Sequence, residues 1–113
     1  MKRVQLNKVE KDEYASIISV KNTAQWFDIE AAKLYPETTY WDGQNKRSVN
    51  CDKHCYQSLY ETKSGNWVIC NFNDFSGSRT TYEAIGEDEA IEWLIKNGYN
   101  LIDEPEVLAK YEI

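Results

Sequence analysis

This chain has little of what most catalytic and membrane signatures require. It holds one histidine, two prolines and five glycines among 113 residues. No apolar run in it approaches the ~18–20 residues that span a bilayer. Lys2 and Arg3 have the charge of a signal peptide but no apolar segment behind them, so a cytoplasmic protein is expected. The scarce glycines form no Walker A, G-x-S-x-G or dinucleotide-type pattern, and no H-E-x-x-H is present. Positive charge is also short: 13 basic residues stand against 19 acidic ones, a net of −6. That balance argues against non-specific binding to nucleic acid or to anionic membranes. Cysteine is limited to three, an odd number, which suits reduced thiols better than a disulfide framework.

What the chain does have is aromatic mass. Four Trp, eight Tyr and three Phe accompany a hydrophobic content of 42%, enough for a modest core at this length. Residues 1–113 are read as a single α+β domain, in which residues 1–20 form a helical or extended N-terminal extension. Charge is polarised along it. Residues 1–60 hold 9 basic and 8 acidic side chains, whereas residues 61–113 hold 4 and 11, a net of −7.

Periodicity places most of the elements. Residues 8–20 follow neither period cleanly, and the charged 10–13 stretch favours a helix giving way to a strand near Ile17. Residues 25–29 read as a short strand, after which Asp28 would cap a helical turn over residues 30–35 that Pro36 ends. Residues 38–41 are β-branched and aromatic, and Asp42-Gly43 is a turn signal. Residues 55–72 carry two such runs around Lys63-Ser64-Gly65-Asn66, a β-hairpin, and residues 80–85 add a third antiparallel strand. Residues 86–97 form the main helix: Ala90, Ile91, Leu94 and Ile95 make one apolar stripe, acids fill the first turn, and Gly98 can end it. Pro105 would open a last short helix. The expected architecture is a small antiparallel sheet of about three to five strands, packed by one main helix with short terminal helices.

Several of these segments resemble a group of small prophage and mobile-element proteins. Leu59-Tyr60-Glu61-Thr62-Lys63-Ser64-Gly65-Asn66-Trp67 is similar to that group's "LYRTKKGNWFL" hairpin, with Glu61 where the group has Arg. Gly77-Ser78, Thr81-Tyr82-Glu83, Asp88-Glu89-Ala90 and Glu92-Trp93-Leu94 follow in the group's order. Trp26-Phe27-Asp28-Ile29-Glu30-Ala31-Ala32 resembles its "YDTETA" segment. The resemblance covers about two thirds of the chain and leaves residues 1–20 without a counterpart. It implies a phage or mobile-element setting and transfers no activity residue by residue.

Three constellations could carry chemistry. Cys51, His54 and Cys55, with Cys70 across the hairpin, offer soft and borderline ligands to zinc. Their spacing is not a C-x2-C knuckle, and structural cysteines are the plainer reading. A Cys–His dyad would use His54, yet His54 and Cys55 diverge on a strand and no orienting third group is evident. No enzyme, cofactor or metal is therefore expected. The second constellation is acidic: residues 83–112 hold nine acids, among them Glu83, Glu87, Asp88, Glu89 and Glu92, against Lys96 and Lys110. Such a surface can face a basic groove that otherwise holds nucleic acid, although first-turn acids also serve helix stability alone. The third is aromatic. Most of these rings fill the core, and Phe75 with Arg79 in a polar loop would be an exposed anchor for a protein partner.

The expectation is a non-enzymatic protein-binding module of phage or mobile-element origin. Its sharpest form is an acidic, anti-CRISPR-like or nucleic-acid-mimicking inhibitor of a basic nucleic-acid-handling protein, touching no nucleic acid or membrane itself. The alternative is a structural or regulatory interaction domain acting as a homodimer through the hairpin edge or an aromatic surface.

Overall fold

A computed structural model describes residues 1–14, 16–51, 54–73, 79–101 and 105–113. In chain order the elements are β1 (Arg3–Lys11), β2 (Ile17–Asp28), β3 (Lys33–Pro36), β4 (Thr39–Trp41), β5 (Lys46–Ser48), β6 (Cys55–Glu61), β7 (Trp67–Asn73), β8 (Thr81–Ile85), α1 (Glu87–Lys96) and α2 (Pro105–Ala109). The central unit is a four-stranded antiparallel sheet in the order β3-β6-β7-β8. Two further ribbons, β1-β2 and β4-β5, are also antiparallel. The α+β class is as expected, and the eight strands among the described residues exceed the expected three to five.

The β6-β7 hairpin forms where the aromatic and β-branched runs flank a tight turn. Leu59 opposes Ile69, and Tyr60 opposes Val68. Gly65 sits at φ +86°, a conformation that L side chains rarely adopt, and its N–H donates to the Thr62 carbonyl at 2.9 Å. Alternation then sends side chains to two faces. On one face Leu59 and Ile69 meet Ala90, Trp93 and Leu94 of α1, with Tyr35, Trp67, Ile85, Tyr99 and Leu101 around them. On the other, Val68 meets Leu6 of β1 and Phe27 of β2, flanked by Tyr60 and Tyr82. Phe27 tilts against both tyrosines, its ring centroid 5.6 Å from Tyr60 and 6.0 Å from Tyr82. The sheet is thus sandwiched between a helix and a β-ribbon.

The N-terminal ribbon is the main departure from expectation. Among the described residues of 8–20 no helix forms. Instead the Asp12 carboxylate accepts the N–H groups of Tyr14 and Ser16, both at 2.9 Å, and turns β1 into β2. The acids that suggested a helix lie on an exposed strand end and its turn, where polarity rather than period decides. The ribbon lies beside β8: Asn7 Oδ1 accepts the Tyr82 N–H at 2.8 Å. Residues 1–20 therefore supply a core residue, Leu6, rather than a loose extension.

A second departure follows Asp28. Its carboxylate accepts the Glu30 N–H at 3.1 Å, as a cap would. The turn closes within residues 29–32 and β3 begins at Lys33, so the helical turn expected over residues 30–35 is replaced. Pro36 is tolerated because β3 is an edge strand with β6 as its ladder neighbour. Helix α1 runs as the pattern required. Gly86 precedes it, Glu87, Asp88 and Glu89 fill its first turn, and Gly98 follows it at φ +80°.

Because the core is two-sided, Leu59→Ala and Phe27→Ala should each cost about 3–4 kcal/mol in urea denaturation. A loss below about 1 kcal/mol for Phe27→Ala alone would mean that the β1-β2 ribbon is peripheral to stability.

Candidate functional site

The inner face of α1 is fixed to the sheet by Ala90, Trp93 and Leu94, which leaves its acids on the exposed half. Asp88 and Glu92 are one turn apart, and like charges at that spacing cost roughly 0.2–0.5 kcal/mol in a helix. The positive end of the helix dipole accounts for Glu87, Asp88 and Glu89; it does not account for Glu92. Lys96 follows Glu92 by another turn, yet among the described residues no cation lies within 4.0 Å of any of these four carboxylates. The C-terminal segment adds to this side. The Tyr111 hydroxyl approaches the Asp88 carbonyl at 3.4 Å. Desolvation and the negative charges of Glu92 and Asp88 push its pKa up. Glu87 lines a shallow groove with Leu101, whereas Glu89 borders another with Lys11 and Glu83. The four helix acids therefore spread around the exposed half of α1, with Asp88 and Glu92 against Tyr111.

Glu83 does not belong to that exposed set. It is half-buried on β8, where it pairs opposite Ile69 on the helix side of the sheet. Burial pushes its pKa up, while Lys11 and the Val9 backbone N–H pull it down. Arg79 is exposed but is committed elsewhere: it donates to Asn22 Oδ1 on β2 at 2.6 Å, away from the helix acids. Phe75 lies outside the described residues.

The cysteines do not assemble as a metal set. Cys51 and Cys55 are joined in a disulfide with Cα atoms 5.8 Å apart. The expectation of reduced thiols is corrected for this pair, because that separation lies within the reach of a bridge. Cys70 is buried opposite Ser58 on β7, facing the β1-β2 ribbon. Burial pushes its thiol up, against hydrogen bonds from Ser58 and Tyr82. Among the described residues no group of three or more His, Cys, Asp or Glu side chains could hold a metal ion.

A polar cluster ties the β4-β5 ribbon to the end of α1. Asn97 is buried at the helix terminus and donates through Nδ2 to Asn50 Oδ1 at 2.8 Å and to the Trp93 carbonyl at 2.7 Å. Its Oδ1 accepts the Thr38 N–H at 2.8 Å and Asn50 Nδ2 at 3.0 Å. Glu37 Oε1 accepts from Ser48 Oγ, from Asn50 Nδ2 at 3.0 Å and from the Gln57 N–H at 3.1 Å. Such contacts join residues far apart in sequence, and no local pattern announces them. The ribbon they hold carries Tyr40 and Trp41, which are 51% and 68% exposed. Its turn is closed by Asp42, held well below the usual carboxylate range by the Asn45 N–H, Arg47 and the Gln44 N–H.

A cleft of about 760 Å³ lies beside the β6-β7 turn. Leu6, Phe27, Val68 and Ala84 contribute its apolar lining, with Thr62, Ser64 and Asn66 among its polar groups. Trp26 forms part of its wall, with the Arg3 guanidinium 5.8 Å from its ring centroid. Asp28 and Lys63 are its charged lining residues.

Among the described residues no helix is long and apolar enough to cross a membrane. No protein-family model matches the chain, and no curated protein or solved structure matches it either.

Two substitutions check this geometry. Asn97→Ala should cost about 2–3 kcal/mol, because it strips partners from buried polar groups. For Glu83, a folded-state pKa above the ordinary value means stability that is present at low pH and lost as pH rises through the folded pKa. Glu83→Gln should therefore raise the melting temperature at pH 7, and the gain should vanish below the ordinary carboxylate range. An equal gain at both pH values would contradict the burial argument.

Proposed function

We propose that the chain is a non-enzymatic protein-binding module that presents the exposed half of α1 to a basic surface. The carrying observation is Glu92 together with Asp88: two like charges held one turn apart on a helix whose inner face is locked to the sheet. Helix stability explains the first-turn acids and leaves Glu92 unexplained; a complementary partner explains both. In this reading Glu87, Asp88, Glu89 and Glu92 form the contact, while Glu83 serves the fold. Phe75 and Arg79 are not required by it.

The partner class follows from charge. A protein whose basic groove ordinarily holds nucleic acid meets such a surface with long-range attraction and screens it with salt. An inhibitor of this kind, anti-CRISPR-like in action, is the specific form of the proposal, in a cytoplasmic phage or mobile-element setting.

A second reading rests on β2. Its outer edge has no ladder neighbour among the described residues, and Ile17 and Ile18 on it are exposed. An edge of this kind can pair with a second copy. The β6-β7 hairpin edges are not available for that purpose, since both strands lie inside the sheet.

The test is capture from bacterial lysate, eluted by a salt gradient, with the native chain and an Asp88→Lys/Glu92→Lys variant. The proposal expects a basic nucleic-acid-binding protein that salt releases and that the variant binds at least tenfold more weakly, a loss of about 1.4 kcal/mol or more. Equal capture by the variant contradicts the acidic-face reading. Recovery of the chain alone, with a dimer in sedimentation, would shift the assignment to the β2 edge.

A further inference from the structure

We propose that Cys51 and Cys55 are a reversible redox pair whose bridge controls how firmly the β4-β5 ribbon docks on the end of α1. The bridge spans a sequence separation of 4, so it closes a very short loop. Loop closure of that size restricts the unfolded chain far less than a long-range bridge does, which leaves local control rather than global stapling as its effect. Its position is what makes the effect consequential. Asn50, the residue before Cys51, bonds both Glu37 and Asn97. Cys51 Sγ also lies 3.9 Å from Ser48 Oγ, which in turn donates to Glu37. On the other side, His54, which adjoins the bridged Cys55, sits at φ +65°, a left-handed conformation that is uncommon for a residue other than glycine. Opening the bridge removes a restraint next to the residue on which the docking depends.

The exchange is confined to this pair. Cys51 and Cys55 are half-buried, so an external thiol has a partial path to them. Cys70 is buried on the other face of the sheet with its thiol pushed up, which withholds the thiolate that exchange requires. The co-reactant is a low-molecular-weight thiol–disulfide couple. A thiolate of the couple attacks one sulfur of the bridge, forming a mixed disulfide and releasing the other cysteine as a thiolate that takes a proton. A second thiolate attacks the mixed disulfide, freeing the remaining cysteine and leaving the external disulfide. Two electrons pass from the external thiols to the protein, and the reverse sequence re-forms the bridge.

The test equilibrates the full chain in glutathione buffers of graded oxidised-to-reduced ratio, quenches it with acid, and counts thiols after unfolding by alkylation and mass spectrometry. Amide NMR follows Thr38 and Asn50 in the same samples, with Val68 as the reference. The expected result is one thiol at the oxidising end and three at the reducing end. Reduction should speed hydrogen exchange at Thr38 and Asn50 at least tenfold and leave Val68 unchanged. Cys51→Ser and Cys55→Ser should reproduce the reduced-state spectrum in oxidising buffer; the titration of the native chain stands whether or not either variant folds. Absence of the bridge at the most oxidising ratio overturns the proposal. So does a bridge that opens without a change at Thr38 and Asn50, or one whose opening speeds Val68 equally.

Discussion

Strand β7 is covered on both faces, and the rest of the structure is arranged around that constraint. Val68 is 1% exposed under the β1-β2 ribbon, and its neighbour Ile69 is 8% exposed under α1. Adjacent strand residues point in opposite directions, so both can be buried only if something covers each side. A short sheet with one helix would leave Val68, Cys70 and Tyr82 in water. The N-terminal ribbon supplies the missing layer through Leu6 and Phe27. The same arrangement disposes α1: the helix must turn its apolar stripe to Leu59 and Ile69, and its acids are left outward as a consequence.

Local chemistry made some of this legible. The hairpin turn at Gly65 and the helix ending at Gly98 are both written in short, self-sufficient patterns. Both positions need positive φ, and the flanking residues carry the right period. The N-terminal ribbon was less legible because its strands carry long charged side chains at exposed positions, as in Lys8 and Lys11. Those residues imitate a polar helix, and the turn that corrects them depends on the Asp12 carboxylate finding two N–H groups. Asp28 shows the same limit. Its capping role was readable, but a capped turn can lead into a helix or a strand, and pairing of β3 with β6 decided it.

The candidate site divides in the same way. That acids gather on α1 is legible in the sequence; that they lie on its exposed half follows from the packing of Ala90, Trp93 and Leu94. Glu83 stands near them in sequence, yet its half-buried place on β8 opposite Ile69 separates it from the exposed acids. The cluster around Asn97 and Glu37 was invisible, since its bonds run between residues 47 and 59 positions apart as well as shorter separations. The disulfide runs against the odd cysteine count: that count suits reduced thiols, and Cys51 and Cys55 are bridged all the same.

The central claim is that ribbon, sheet and helix form one cooperative unit, which is what makes the outward face of α1 a rigid surface. Native-state hydrogen exchange tests it most directly. The account predicts that amides of Leu6 in β1, Val68 and Ile69 in β7, and Leu94 in α1 open with the same free energy and the same denaturant dependence, at the level of global unfolding. A β1 amide that exchanges through its own low-energy opening, while β7 and α1 stay protected together, would contradict it.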